Sequence, residues 1–78
     1  MRIEYSKQAA KEISKISSPF KKNIKEAIEK LPAGDVKKLK GFINAYRLRV
    51  GDYRVLYDVG EGKIEITGVL HRSAAYRN

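Results

Sequence analysis

Residues Tyr46 to Tyr57 constrain this chain more tightly than any other stretch, because apolar and charged positions alternate there on both sides of a single Gly-Asp pair. Tyr46, Leu48 and Val50 fall on one side and Arg47 and Arg49 on the other, which is the two-residue period of a strand buried on one face only. Gly51-Asp52 then makes a tight turn. The strand that follows sets Tyr53, Val55, Tyr57 and Val59 against Arg54, Leu56 and Asp58. Two such strands joined by so short a turn form an antiparallel hairpin. The parity that buries the tyrosines and valines projects Arg47, Arg49 and Arg54 together from the opposite face.

The flanking sequence supplies what that hairpin needs to bury its apolar face. Arg2-Ile3-Glu4-Tyr5 alternates as a short strand, and Ser6 offers a helix cap. From Lys7 to about Ser17, Ala9, Ala10, Ile13 and Ile16 recur at helical spacing. Ser18-Pro19 opens a second helix, whose buried stripe is Phe20, Ile24, Ala27, Ile28 and Leu31 and which Pro32-Ala33-Gly34 ends. Asp35 to Asn44, with Lys37, Lys38, Lys40, Leu39 and Phe42, has no clear period and reads as a basic connecting loop. After Gly60-Glu61-Gly62 a last strand runs from Lys63 to about Arg72, with Gly68 as the place for a bulge, and Ser73 to Asn78 form a short polar tail. The expected fold is a single α+β domain over residues 1–78: strand, helical hairpin, then a three-strand antiparallel meander, with the helices packed on one sheet face.

With 17 Lys plus Arg against 9 Asp plus Glu the chain carries a net charge of +8, yet 42% hydrophobic residues make it a folded domain, not a disordered polycation. At 78 residues it is too small for a deep enclosed cavity, so a site must be an open face or groove. There is no Cys and one His, which excludes thiol nucleophiles, disulfides and Cys- or all-His metal sites. No gly-rich phosphate loop, carboxylate pair or nucleophilic triad is present, and no cofactor is called for. Charges at Arg2, Glu4 and Lys7 are unlike a signal peptide, and no apolar run is long enough for a membrane span; the expectation is a soluble, unprocessed cytoplasmic protein.

Three guanidiniums on one face make an anion site, since Arg presents a planar donor fork to phosphate and stays charged at any accessible pH. The alternative is a solvated face kept soluble by charge. His71 and Arg72 end the last strand. Strict alternation places His71 with Glu65 and Thr67 on the open face and Arg72 with Ile66 inside; either a bulge at Gly68 turns Arg72 outward or the strand ends before it. Tyr76, in the tail, is placed to stack on an unpaired base or simply to dock on the domain. The lysines of the helical segments are interspersed with Glu12, Glu26 and Glu29 and read as solvated faces.

The order of elements, the segment Tyr46 to Tyr57, Leu39-Lys40-Gly41 before it and the ending His71-Arg72-Ser73-Ala74-Ala75-Tyr76 resemble the RelE/ParE superfamily of bacterial and archaeal toxins, over nearly the whole chain. The resemblance implies a toxin of a type II toxin–antitoxin pair. For RelE-like members it implies a metal-independent, ribosome-dependent endoribonuclease that cuts mRNA in the A site by attack of a 2′-hydroxyl, inhibiting translation. By motif position Arg47 and Arg49 match strand residues that hold or activate RNA, with Lys37, Lys38 and Lys40 adding RNA-binding charge. Arg54 matches a transition-state arginine, Arg72 a late catalytic arginine and Tyr76 a C-terminal tyrosine. Some relatives carry Lys where Arg47 and Arg49 stand, and since Arg does not readily give up its proton, His71 becomes the proton-transfer candidate. The partners implied are a cognate antitoxin, in a hetero-oligomer, and the ribosome with its mRNA. The alternatives are a ParE-like DNA gyrase inhibitor and a non-catalytic ribosome- or RNA-binding module.

Overall fold

The computed structural model describes residues 2–75 and runs β1 (Arg2–Tyr5), α1 (Lys7–Ser14), α2 (Phe20–Glu29), β2 (Val36–Lys38), β3 (Ala45–Val50), β4 (Tyr53–Gly60), β5 (Lys63–His71) and α3 (Arg72–Ala75). The five strands form one sheet in the order β1-β5-β4-β3-β2, with β1 parallel to β5 and the other pairs antiparallel. The α+β class and the helical layer on one sheet face are as the sequence predicts. Ala9, Ile13, Ile24, Ile28 and Leu31 from the helical side meet Leu48, Val55, Tyr57, Ile64, Ile66 and Val69 from the sheet in one buried cluster. Tyr57 stacks on its cross-strand partner Tyr46, with ring centroids 5.5 Å apart and planes 17° from parallel. Burial, with Tyr46 beside it, pushes the Tyr57 phenol above its ordinary pKa.

Several boundaries differ from the expected ones. Helix α1 stops at Ser14, not Ser17, because Lys15 and Ile16 already bond three residues back, and a residue before proline is kept out of the helical region. Ser6 caps α1 as expected, its Oγ accepting the Ala9 N–H at 3.0 Å. Helix α2 begins one residue later than expected: Pro19 is its N-cap, without a side-chain cap bond. Phe20, expected in the buried stripe, is 52% exposed, lying across Tyr53 at the rim. The stretch from Asp35 to Asn44 is not all loop. Val36–Lys38 forms the edge strand β2, pairing Val36 with Leu48, Lys37 with Arg47 and Lys38 with Tyr46. Three residues are too few to display a period, so the meander has a fourth antiparallel strand that pattern reading does not find. The start of the polar tail is the short helix α3.

The β4–β5 ladder carries one irregularity. Tyr57 pairs with Ile66 but Leu56 with Gly68, so Thr67 is the extra residue. Past it, Val69 stands opposite Val55 in the core, Leu70 opposite Arg54, and His71 opposite Tyr53.

Candidate functional site

Directly paired residues of an antiparallel sheet share a face, so the register fixes the composition of the open side. Arg49 pairs with Arg54, Arg47 with Leu56 and with Lys37, and Leu70 with Arg54. These residues lie opposite the helices. Among them Arg54 is only 5% exposed, and its Nη1 donates to the carbonyls of Gly51 and Tyr53, both at 3.1 Å. Carbonyl dipoles thus stand in for water around the buried cation and hold its plane in one orientation.

A groove of about 340 Å³ opens beside it, lined by Lys37, Lys38, Leu39, Lys40, Arg47, Arg54 and Leu56. Strand β2 and the chain after it form one wall, and β3 and β4 form the floor. Five cations and two leucines line it, with no carboxylate among them. Such a lining suits a chain of phosphates with apolar or aromatic groups between them. Arg49 is close by in register but does not line the groove. Its Nε meets Asp35 Oδ2 at 2.7 Å, and the same carboxylate lies 3.9 Å from Arg47 Nη1. Asp35 therefore competes for the two strand arginines.

Arg72 opens α3 as an exposed residue, and its backbone N–H donates to the Asp52 carbonyl at 2.6 Å. Three consecutive turn carbonyls, Gly51, Asp52 and Tyr53, thereby hold either the Arg54 head or the Arg72 backbone. The structure thus anchors Arg54 and Arg72 at the same end of the sheet and gathers Lys37, Lys38, Lys40, Arg47 and Arg54 into one groove. His71 goes elsewhere. The extra residue at Thr67 reverses the alternation, so His71 shares the helix-side face with Tyr53, their rings edge-to-face at 5.4 Å. Its Nδ1 accepts the Ser73 N–H at 3.3 Å and lies 3.1 Å from Ser73 Oγ. Tyr76 lies outside the described residues. Among the described residues no group of three or more His, Cys, Asp or Glu is placed to hold a metal ion.

The far end of the open face carries mixed charge, with Lys63 beside two carboxylates. Asp58 pairs with Glu65 and with Ala45, and these three line a second groove under Phe42 and Ile43, which are 63% and 83% exposed. The sequence shows each of these residues but not their conjunction, which depends on register.

The structure is thus a small α+β sheet with a basic groove on its uncovered face, in which the Arg54 side chain is held by carbonyls at a strand turn. Residues 3–76 match the family described as "ParE toxin of type II toxin-antitoxin system, parDE". The chain belongs to this RelE/ParE group of toxins of type II toxin–antitoxin systems. It is 33% identical to Toxin RelE3 of Methanocaldococcus jannaschii over an alignment of 84 residues, which covers 97% of this chain and 96% of the relative. The crystal structure of a RelB–RelE antitoxin–toxin complex from Methanococcus jannaschii superposes with a TM-score of 0.82 at 32% identity, covering 94% of each chain. An archaeal RelE–RelB complex from Pyrococcus horikoshii gives 0.72 at 29% identity, covering 91% of this chain and 93% of the other. The family and fold expected from the sequence are met.

Proposed function

We propose that this toxin is an endoribonuclease that cuts mRNA in the ribosomal A site without a metal ion, and that a cognate antitoxin neutralises it. The observation that carries the reading is the groove itself: five cations with Arg54 immobilised among them. In the proposed step the 2′-oxygen of the RNA bonds to the adjacent phosphorus and the bond from phosphorus to the 5′-oxygen breaks. The 2′-hydroxyl proton passes to a base, the 5′-oxygen receives a proton, and the products are a 2′,3′-cyclic phosphate and a 5′-hydroxyl. Charge builds on the phosphoryl oxygens midway, and donors already fixed toward that position stabilise it without reorganising. Arg54 is assigned this role, with Arg72 completing it from the same sheet end. Lys37, Lys38, Lys40 and Arg47 hold the flanking phosphates, and Arg49 joins them once Asp35 releases it.

The proton-transfer role assigned to His71 has a geometric condition. Its ring lies on the other side of β5, so it acts only on an RNA that bends over the Gly51-Asp52 turn beside Arg72. Tyr76 is proposed to stack on a base near the same arginines. The antitoxin assignment is supported by the complexes described for the two archaeal relatives. Its neutralising segment is proposed to set carboxylates into the basic groove.

Primer extension on mRNA programmed into ribosomes, with the wild-type chain, Arg54→Ala and a ribosome-free control, tests the reading. Cuts at A-site codons that need both the ribosome and Arg54 are expected, with the variant slowed by about 10²–10³-fold, the loss typical of one oxyanion donor. The match to a family named for ParE favours DNA gyrase inhibition as the second reading. Absence of cuts, with loss of supercoiling activity in a gyrase assay, would establish that reading instead.

A further inference from the structure

Glu12 belongs by sequence to the acids that punctuate a lysine-rich helix, but in the fold its carboxylate is committed to the sheet. Strand β1 pairs with β5 only as far as Tyr5 opposite Ile66, so among the described residues β5 has no strand neighbour on that side beyond Ile66. Helix α1 takes over there, and Glu12 Oε1 accepts the Val69 N–H at 2.8 Å while Gln8 Nε2 donates to Oε2 at 3.2 Å. The carboxylate lies against buried Gly68: a Cβ there would stand 3.5 Å from Oε1. Two more side-chain bonds grip the same irregularity. Ser6 Oγ donates to the Thr67 carbonyl at 3.3 Å, and Thr67 Oγ1 donates to the Leu56 carbonyl at 3.2 Å.

What this clamp holds is the register of the candidate site. The extra residue at Thr67 sets Leu70 opposite Arg54 and Val69 opposite Val55, and delivers the Arg72 N–H to the Asp52 carbonyl. Without it, continued pairing from Ile66 would set Val69 opposite Arg54 and carry Arg72 one residue, about 3.3 Å, past the turn. A valine from the core would then face the open side, and the Arg54–Arg72 spacing would change. Removing the Glu12 acceptor leaves the Val69 N–H with no strand or helix partner and takes away one of the side-chain bonds that hold the bulged register, beside those of Ser6 and Thr67.

We infer that Glu12 is a positioning residue for the Arg54–Arg72 pair, acting through the β5 bulge from the helix-covered side of the sheet. This rests on the endoribonuclease reading above. It is tested with Glu12→Ala and Glu12→Gln, the second keeping an oxygen that accepts the Val69 N–H. Each is measured by thermal unfolding, by Val69 amide exchange, and by cleavage of ribosome-bound mRNA across toxin concentrations so that turnover and half-saturation separate. Glu12→Ala is expected to lower turnover by about 10²-fold, as a misplacement near 1 Å does, with half-saturation little changed because the lysines of the groove are untouched. Glu12→Gln is expected to restore most of the turnover and the slow Val69 exchange. Wild-type turnover in a folded Glu12→Ala whose Val69 amide exchanges fast would overturn the assignment. So would a loss matched by the unfolded fraction, or a Glu12→Gln as slow as the alanine variant. A wild-type chain that never cuts overturns the endoribonuclease reading itself, and is recognised before any variant is compared.

Discussion

The arginines of this sheet differ in what holds them. Arg54 is buried and bonded to two main-chain carbonyls, so its position is a property of the turn, whereas Arg47 and Arg49 answer to one half-exposed carboxylate. Ion pairs of the second kind contribute little to stability, about 0–1 kcal/mol, and their partners are easily exchanged. Asp35→Asn is therefore expected to leave the unfolding midpoint nearly unchanged while strengthening RNA binding. Each arginine newly given to a phosphate steepens the dependence of log affinity on log salt by about 0.7 for single-stranded RNA. Fluorescence titrations at several salt concentrations check this; an unchanged slope would show that Asp35 does not compete with RNA. The direction of these side chains was legible from the alternation of Tyr46 to Tyr57 alone. Their partners were not, because alternation gives the direction of a side chain but not which main-chain carbonyls, here those of Gly51 and Tyr53, its head reaches, and Asp35 comes from a segment with no periodic signal.

Elements show the same division. Strands β3 and β4 and the α1 cap are readable because a two-residue period or a single hydroxyl encodes them, and the β3–β4 register follows from the Gly-Asp turn. Strand β2 is too short to carry a period, and the side taken by His71 depended on one extra residue whose place, Thr67, is fixed by contacts from Ser6 and Leu56 distant in sequence. Gly68 marked the neighbourhood of that bulge but not its consequence. The cross-strand pair Tyr46–Tyr57 lends the β3–β4 unit a pH signature. Burial raises the Tyr57 phenol, so the neutral form is favoured in the folded chain; its contribution is complete below the unfolded value near 10 and is lost as pH rises through the higher folded value. Urea unfolding followed from pH 8 upward is expected to weaken above about pH 10 in the wild-type chain, with a shallower fall in Tyr57→Phe. Identical slopes in the two proteins would place the alkaline sensitivity elsewhere.

At the scale of the whole molecule, a charge of +8 says that polyanions are attracted but not where they settle. The lysines of α1 and α2 lie on the far side of the sheet from the groove, and the domain spans 31 × 29 × 23 Å. At physiological salt the screening length is about 8 Å, well under half the smallest of these dimensions, so a phosphate in the groove feels the local cations and very little of the helical ones. The open face is itself divided, with Lys37, Lys38, Lys40, Arg47 and Arg54 around one groove and Asp58, Glu65 and Lys63 at the other. On the proposed reading an RNA strand takes the basic half, and the placement of charge, not net charge, is expected to set its affinity. If all five groove cations meet phosphates, the slope of log affinity against log salt is about −3.5, roughly a hundredfold loss between 50 and 200 mM. Lys37→Ser and Lys40→Ser are each expected to reduce its magnitude by about 0.7, whereas Lys11→Ser and Lys22→Ser, which remove the same charge from the helices, are expected to leave it unchanged. Equal effects from the two pairs would mean that RNA is held by diffuse charge, and would reassign the groove to a protein partner.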